Sequence, residues 1–515
     1  PYLASAIKRF PILETAGIRK FFSGPESFTP DTNTLLGEVP EVKNFFVCCG
    51  LNSIGIGSGG GVGKVTAEWL MTGHINEDIF SYDIKRFQKF HSEIGFIKKR
   101  ITESLGDLYG MHWPFKQHKT SRDIKKLPHH DNLKSFGACF GVSGGYERPM
   151  WFALDGEKNE YEYSYNFQNW YPSVEYETNN TLKNVGLYDL TPFSKFEIKS
   201  KKAHQELQKI CTSNVKNTVG ECTYTHMLNK DGGIEIDLTI VCLDKDYFRI
   251  ISSAATRERD KLHIKKHISK DIELKDVTDD YCVFGLFGPK SRLLMEKLTN
   301  EDLSNQKFKF STSKYLKIEG TQIWTQRLSY VGELGYELYV DKSDSKKIYT
   351  KIIEEGKNFN ISNCGMHSLD TMRMESGFLH WGHDISPEEN QIEAGLKFTI
   401  SNNKKENFIG KEALQKIKNN KIKKRLAMFV LEENKPGEPL LLHDEPIYFN
   451  EKIIGRTTSG NYSFNFKKNL CFGYIKNEYS NNELINKNIF IEVEKKKFKA
   501  QLLLKPLKNT NFKNI

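Results

Sequence analysis

The sequence predicts a multidomain chain: an α/β segment first, then an α+β domain of antiparallel sheets with packed helices, then a small all-β module. Three observations carry that reading. Residues 1–87 alternate strand-like and helix-like segments around a glycine-rich stretch, "FFVCCGLNSIGIGSGGGVGKVTAEWL". From residue 160 the pattern changes to short alternating strands separated by turns, such as "GLYDLTPFSKFEIKS" and "YTHMLNKDGGIEIDLTIVCL", with helical runs "KSRLLMEKLTN" and "SKKIYTKIIEEG" between them. After about residue 424 only strand-like runs remain, among them "RLAMFVLEE", "LCFGYIKN" and "IFIEVEKKKFKAQLLL".

Taken in order, the opening "PYLASAIKRFPILETAGIRKFF" reads as an amphipathic helix followed by a strand, as though the chain began inside a domain. The glycine stretch then raises two phosphate-binding possibilities. A nucleotide-triphosphate loop needs glycine where Ser58 stands and Ser or Thr where Val65 stands, so it fails. Gly55, Gly57 and Gly60 satisfy a dinucleotide fingerprint between a strand-like run, Phe45 to Cys49, and a helix-like run, Val62 to Met71. The continuation "TGHINEDIFSYDIKRFQKF" is polar and helix-like, however, not the second buried strand that such a unit requires. What survives is the physics. Glycines after a strand let backbone approach a ligand closely, and a helix start turns free N–H groups toward an anion or an electron-rich ring.

Composition narrows the class. The 515 residues suffice for three or more cores, and 38% apolar with 12% aromatic residues describes a globular chain. No apolar run reaches the roughly 18 residues of a membrane span. The net charge of +10 comes from lysines dispersed among Asn and Glu, without a zinc finger, an arginine-rich arm or an RNP-like aromatic motif, which argues against nucleic acid. Nine cysteines without a C-x-x-C pair indicate a reducing compartment and no structural zinc; Cys48, Cys49, Cys242 and Cys282 read as small buried hydrophobes. In the irregular region 88–159, His112, His118, His129 and His130 have no carboxylate or cysteine at ligand spacing and read as surface or connector histidines.

Two sets of motifs resemble one family. Upstream, "GPESFTPDTNTLLGEVPEVKNFFVCCGLNSIGIGSGGGVGK" resembles the C-terminal portion of the flavin domain of D-amino-acid-oxidase-like enzymes. Downstream, "YTHMLNKDGGIEIDLTIVCL", "SYVGELGYELYV", "MRMESGFLHWGHDISPEENQIEAGLKF", "FIGKEAL" and "RTTSGNYS" resemble, in order, the folate-binding aminomethyltransferase of glycine cleavage. This fusion is similar to the dimethylglycine and sarcosine dehydrogenases and to the regulatory subunit of pyruvate dehydrogenase phosphatase. The resemblance covers nearly the whole chain. It implies the C-terminal part of an FAD domain over 1–87, a connector over 88–159, a folate-binding α+β domain over 160–423 and a C-terminal β-barrel over 424–515.

The implied cofactors are FAD and tetrahydrofolate. The implied reaction is oxidative demethylation of an N-methylglycine in the mitochondrial matrix, with electrons leaving to an electron-transfer flavoprotein; the alternative is a regulatory subunit whose partner is the phosphatase catalytic subunit. Gly50, Leu51, Asn52, Ser53, Ile54, Gly55 and Ile56 would touch flavin, while the dinucleotide fingerprint proper and the covalent-flavin histidine are expected upstream. In the folate half, Asp237 falls at the family's catalytic carboxylate, with Leu238 and Thr239 following it. Tyr330 and Glu337 fall at pterin-contacting positions with Leu338 and Tyr339 beside them, and Phe398 stands where relatives have Tyr. The residues themselves agree: a carboxylate between Ile236 and Leu238 is one whose pKa burial raises, and a buried glutamate suits the donor-rich edge of a pterin. By spacing alone, Asp237 is equally a strand-end acid after a turn and Glu337 a solvent-facing strand residue.

Overall fold

The computed structural model describes residues 2–21, 23–509 and 512–513. Its centre is a pair of sheets whose inner faces pack together. The first sheet has five strands, in spatial order Leu274–Asp276, Ser194–Lys199, Tyr247–Ser252, Ile234–Asp244 and Cys222–Leu228. The second has six: Ser313–Ile318, Thr321–Gln326, Gly335–Asp341, Tyr281–Phe287, Val185–Asp189 and Ile361–Cys364, the last pair parallel and the others antiparallel.

Strand alternation builds these layers. In Ile234–Asp244, residues Ile236, Leu238, Ile240 and Cys242 turn outward onto Ala203, Leu207 and Ile210 of helix Ala203–Ile210 and Ile264 of helix Arg257–His267. In Gly335–Asp341, residues Tyr336, Leu338 and Val340 turn outward onto helices Ser291–Thr299 and Ser345–Gly356 through Leu294, Met295, Leu298, Ile348 and Ile352. The inner faces meet through Cys222, Val241 and Leu243 of one sheet and Tyr188, Val283, Phe287, Trp324 and Tyr339 of the other. Each fully buried aliphatic or aromatic side chain contributes about 1.5–3 kcal/mol, so the inner layer is well able to tolerate a few polar groups.

The C-terminal module is a closed six-stranded barrel spanning Lys424–Leu431 to Lys496–Leu503 around Phe429, Ile447, Ile454, Cys471, Ile475, Ile489 and Ile491. Closure leaves it no free sheet edge. It docks on helix Met366–Glu375, where Arg373 donates to Ser459 Oγ (2.9 Å) and Ser463 donates to Glu375 Oε1 (2.7 Å).

The N-terminal part is sparser. Helix Tyr2–Arg9 is followed by a 3-10 turn, Pro11–Glu14, and the strand expected after it is absent from the described residues up to 21. The polar run after residue 72 forms only short 3-10 turns, Ile84–Arg86 and Lys89–Ser92, where a helix was expected. Hairpin Leu35–Glu38/Phe46–Cys49 leads into helix Gly55–Thr72. Trp69 of that helix crosses the hairpin at Gly37, whose φ is +104° and whose Cβ, if present, would lie 2.5 Å from the indole. Cys242 and Cys282 are buried as expected, but Cys48 and Cys49 are exposed, because their strand belongs to a two-stranded ladder that Trp69 covers only at Gly37 and Phe46.

Gly37→Ala combines a left-handed backbone conformation with that clash, a cost of at least about 1–3 kcal/mol. Amide hydrogen exchange over residues 55–72 should accelerate roughly tenfold or more while barrel residues 424–503 stay unchanged. Equal acceleration in both segments would show that hairpin and barrel unfold as one unit.

Candidate functional site

The inner layer between the two sheets holds the polar residues singled out in the folate half. The turn "NKDGG" closes a hairpin in which Asp237 lies directly across from His226, and Thr239 across from Tyr224. Alternation puts Asp237 and Thr239 on the inner face, opposite in direction to Leu238, which sits in the outer core. On the facing sheet Glu337 and Tyr339 also point inward, and Leu338 again lies in the outer core. Leu238 and Leu338 therefore fix their strands and leave the cleft to their neighbours.

Asp237 keeps 19% of its side-chain surface, yet its Oδ1 is sealed from solvent without a hydrogen-bond partner. Burial pushes its pKa up to about 7, against a smaller opposing pull from the Tyr224 hydroxyl. Glu337, half-buried, receives the Tyr339 hydroxyl at 3.2 Å and is also raised by burial to about 7. Two carboxyl groups whose pKa burial raises to about 7 thus face the layer between the sheets, and such shifts cluster at functional sites. Tyr330 donates to the Leu379 carbonyl at 2.6 Å and stacks with Phe378, so its ring is fixed at the rim. Phe398 is 75% exposed and stacks on Tyr224, an aromatic surface with no hydroxyl to offer.

Several neighbours escaped the sequence reading. His226 and Tyr224 flank Asp237 from the paired strand; counting back from the "NKDGG" turn would have found them. Arg249 lies over the Tyr281 and Tyr339 rings while bonded to Glu197 (2.7 Å). Arg373 is clamped by Asp370 (2.8 Å) and Asp384 (2.6 Å) close to Tyr330. These partners come from distant segments and left no local signal.

The flavin-side candidates form a second constellation. Gly50 (φ +66°), Asn52 (φ +48°) and Ser53 (φ +66°) turn the chain sharply into helix Gly55–Thr72. Buried Asn52 holds the turn, accepting from the Thr29 N–H (2.9 Å) and donating to Gly50 O (2.6 Å). Leu51 packs against Gly55, whereas Ile54 and Ile56 are exposed. The helix start has no side-chain cap. Gly57, Gly59, Gly60, Gly61 and Gly63 would have nothing within 4 Å of an added Cβ. Glycine costs about 1 kcal/mol relative to alanine at each helix position. At helical spacing Gly57, Gly60 and Gly61 lie on one side and Gly59 and Gly63 on the other; bare backbone of this kind suits a ligand or chain that comes to backbone distance, and uncapped N–H groups suit an anionic or electron-rich one.

The histidines of region 88–159 fare differently from expectation. His129 and His130 are buried, stacked on Tyr349 and Phe140. The fold brings Glu103 and Asp107 to His118, with ligand atoms within 4.8 Å of one another. Those carboxylates are already engaged: Glu103 accepts the Lys119 and Thr120 N–H groups, and Asp107 holds Lys116 at 2.6 Å.

Comparison with known proteins reads the same architecture. Residues 129–404 match the GCVT N-terminal domain and 424–508 the glycine cleavage T-protein C-terminal barrel domain. The chain belongs to the glycine cleavage T-protein family. Residues 1–69 match an FAD dependent oxidoreductase model and 72–126 an FAD dependent oxidoreductase central domain, so the domain order is that of the dimethylglycine and sarcosine dehydrogenases and their regulatory relative. FAD and tetrahydrofolate are the cofactors that go with these domains. The chain is 37% identical over 463 residues to 4-methylaminobutanoate oxidase (formaldehyde-forming) of Paenarthrobacter nicotinovorans, covering 90% of this chain and 56% of that protein. It is 31% identical over 509 residues to human mitochondrial dimethylglycine dehydrogenase, covering 98% and 58%. It thus spans little more than half the length of these relatives. The solved aminomethyltransferase T of Bartonella henselae superposes with a TM-score of 0.65 at 19% identity, over 75% of this chain and 99% of that one. In this T-protein fold, Asp237 and Glu337 occupy the space between the two sheets.

Raising a carboxyl pKa from 3.8 to about 7 means the folded state binds the proton more tightly than the unfolded one. Stability is then fully present below the unfolded value and is lost as pH rises toward 7. Asp237→Asn should therefore stabilise the protein at pH 8, by on the order of 1–4 kcal/mol, and have little effect at pH 4. Denaturant titrations of both proteins at the two pH values check this; a pH-independent difference would contradict a buried, titrating Asp237.

Proposed function

We propose that this chain forms the folate-binding side, together with the closing segment of the flavin side, of an FAD-linked, tetrahydrofolate-dependent oxidative demethylase of an N-methylglycine, dimethylglycine or sarcosine. The observation that supports it best is Asp237, an inward carboxyl titrating near neutrality with an unpartnered oxygen, within a T-protein fold that carries a bare glycine helix ahead of it.

When bound, FAD supplies the hydride acceptor for the N-methyl group, and tetrahydrofolate supplies the amine that captures the one-carbon unit. The residues fit both. The uncapped start of helix Gly55–Thr72, presented by the turn that Asn52 fixes, would hold the flavin, whose ring would lie against the bare glycine backbone. Glu337 has acceptor capacity beyond its Tyr339 bond for an amide-type N–H edge. Asp237 would hold a proton near pH 7 and exchange it with the attacking amine, assistance worth about 10²–10⁴-fold. Trp324 and Tyr339, buried between the sheets, would help keep water from the reacting carbon. Electrons would pass to an electron-transfer flavoprotein, as the family resemblance implies. The rat, human and mouse relatives are named as mitochondrial, and we place this chain in the mitochondrial matrix as part of the same reading.

One observation favours a second reading: the Paenarthrobacter relative is named for forming formaldehyde, the product expected when no folate captures the carbon. Calorimetry distinguishes the two. The 515-residue chain should bind tetrahydrofolate, and Glu337→Gln should weaken that binding roughly tenfold or more, since a hydrogen bond to a charged group is worth about 1.5–3 kcal/mol. No binding at millimolar ligand would favour a degenerate folate site, as in a regulatory subunit.

Because nothing among the described residues covers these glycines, the 515-residue chain alone should not reduce a dye with sarcosine or dimethylglycine. Adding the complementary flavin-domain polypeptide should restore amine-dependent reduction. Activity of the lone chain would show that the segment is sufficient as it stands.

A further inference from the structure

His226 is wholly buried directly across from Asp237, and its environment decides which ring nitrogen carries the hydrogen. The Thr399 hydroxyl hydrogen goes to the Leu396 carbonyl (2.7 Å), and the Thr212 hydroxyl hydrogen goes to the Thr399 carbonyl (2.9 Å). Both hydroxyl oxygens are therefore acceptors. The two hydrogens of Gln391 Nε2 have these oxygens as their nearest acceptors, at 2.7 Å from Thr399 and 2.9 Å from Thr212. His226 Nδ1 lies 3.1 Å from both Gln391 Nε2 and Thr399 Oγ1; with both amide hydrogens directed to the nearer hydroxyl oxygens, Nδ1 completes the second lone pair of Thr399 Oγ1 as a donor. This leaves Nε2 without a hydrogen, facing Asp237 Oδ1 at 3.5 Å and the Tyr224 hydroxyl at 3.4 Å.

We propose that His226 is the positioning residue of the folate site: its unprotonated Nε2 is the hydrogen-bond acceptor for a hydrogen carried on Asp237 Oδ1, the oxygen otherwise without a partner, which holds the carboxyl in its acid form and leaves the other oxygen for the cleft. The proposal rests on the reading of Asp237 as the site's acid and base. No bond is made or broken; the proton stays on the carboxyl and the imidazole stays neutral. Burial depresses His226 to about 3, so it does not take the proton for itself. The other titratable groups around Asp237 are Tyr224 on the paired strand and Tyr330 opposite, with Arg373, Asp370 and Asp384 beyond Tyr330. A hydrogen bond to the neutral form of an acid raises its pKa, so His226 adds to the effect of burial.

The test follows the carboxylic C=O band of the 515-residue chain by infrared difference spectroscopy between pH 5 and 9, assigned by its loss in Asp237→Asn. Wild type should titrate near 7. His226→Leu, which removes the acceptor, should increase the acid dissociation constant up to about tenfold, the scale of one neutral hydrogen bond. His226→Gln, whose Oε1 can accept, should return the midpoint toward wild type. An unchanged or higher midpoint in His226→Leu overturns the proposal, because an Nε2–H donor would have favoured the carboxylate instead. Should His226→Leu fail to fold, ¹⁵N NMR of histidine-labelled wild type decides: an Nδ1-protonated ring supports the assignment and an Nε2-protonated one overturns it. If Asp237→Asn removes no band that titrates near neutrality, the site reading falls and the role of His226 with it.

Discussion

The constraint on which the molecule depends is the two-sided use of strands in its paired sheets. A strand that must bury Ile236, Leu238 and Ile240 against helices has no choice about where Asp237 and Thr239 go. They face the second sheet, whose own outward set, Tyr336, Leu338 and Val340, sends Glu337 and Tyr339 to meet them. The layer that holds these candidate site residues is thus a by-product of two conventional cores. The same geometry supplies its chemistry, since desolvation between the sheets is the leading cause of the raised pKa of both carboxyl groups.

The flavin-side segment obeys a different economy. Hairpin, turn and helix are held by few contacts, chiefly Trp69 over Gly37 and Phe46 and the Asn52 bonds. A helix with five uncovered glycines is poorly stabilised by itself. Its attachment to the rest of the chain lies further on, where His74 and Asn76 reach Asp231 (both 2.9 Å) and Phe80 meets the Trp381 edge. Trp381 in turn donates to the Ile234 carbonyl (3.0 Å), at the head of the strand that carries Asp237. One short segment therefore links the flavin side mechanically to the folate strand.

The barrel contributes through helix Met366–Glu375. Arg373 bridges the Asp370 and Asp384 carboxylates to Ser459 of the barrel; burial opposes its charge, but the two carboxylates outweigh that and hold the guanidinium charged. Tyr330 senses that cluster, so barrel, helix and cleft rim form one electrostatic unit. The barrel closes the molecule without adding a predicted site residue of its own.

The sequence by itself determined the order of parts: a glycine-rich flavin-type segment, an α+β folate-type domain and a closed barrel. These follow from period-two alternation and ordered motifs, which are local properties of a chain. It erred where stability depends on neighbours, as in the strand expected after Pro11–Glu14, the helix expected after residue 72 and the burial of Cys48 and Cys49. Only the tertiary structure decided that Leu238 and Leu338 turn away from the cleft and that His129 is a core residue. It also decided the hydrogen-bond surroundings of His226, because Gln391 and Thr399 reach the imidazole and Thr212 bonds Gln391 from segments up to 173 residues away, and no local pattern encodes that meeting.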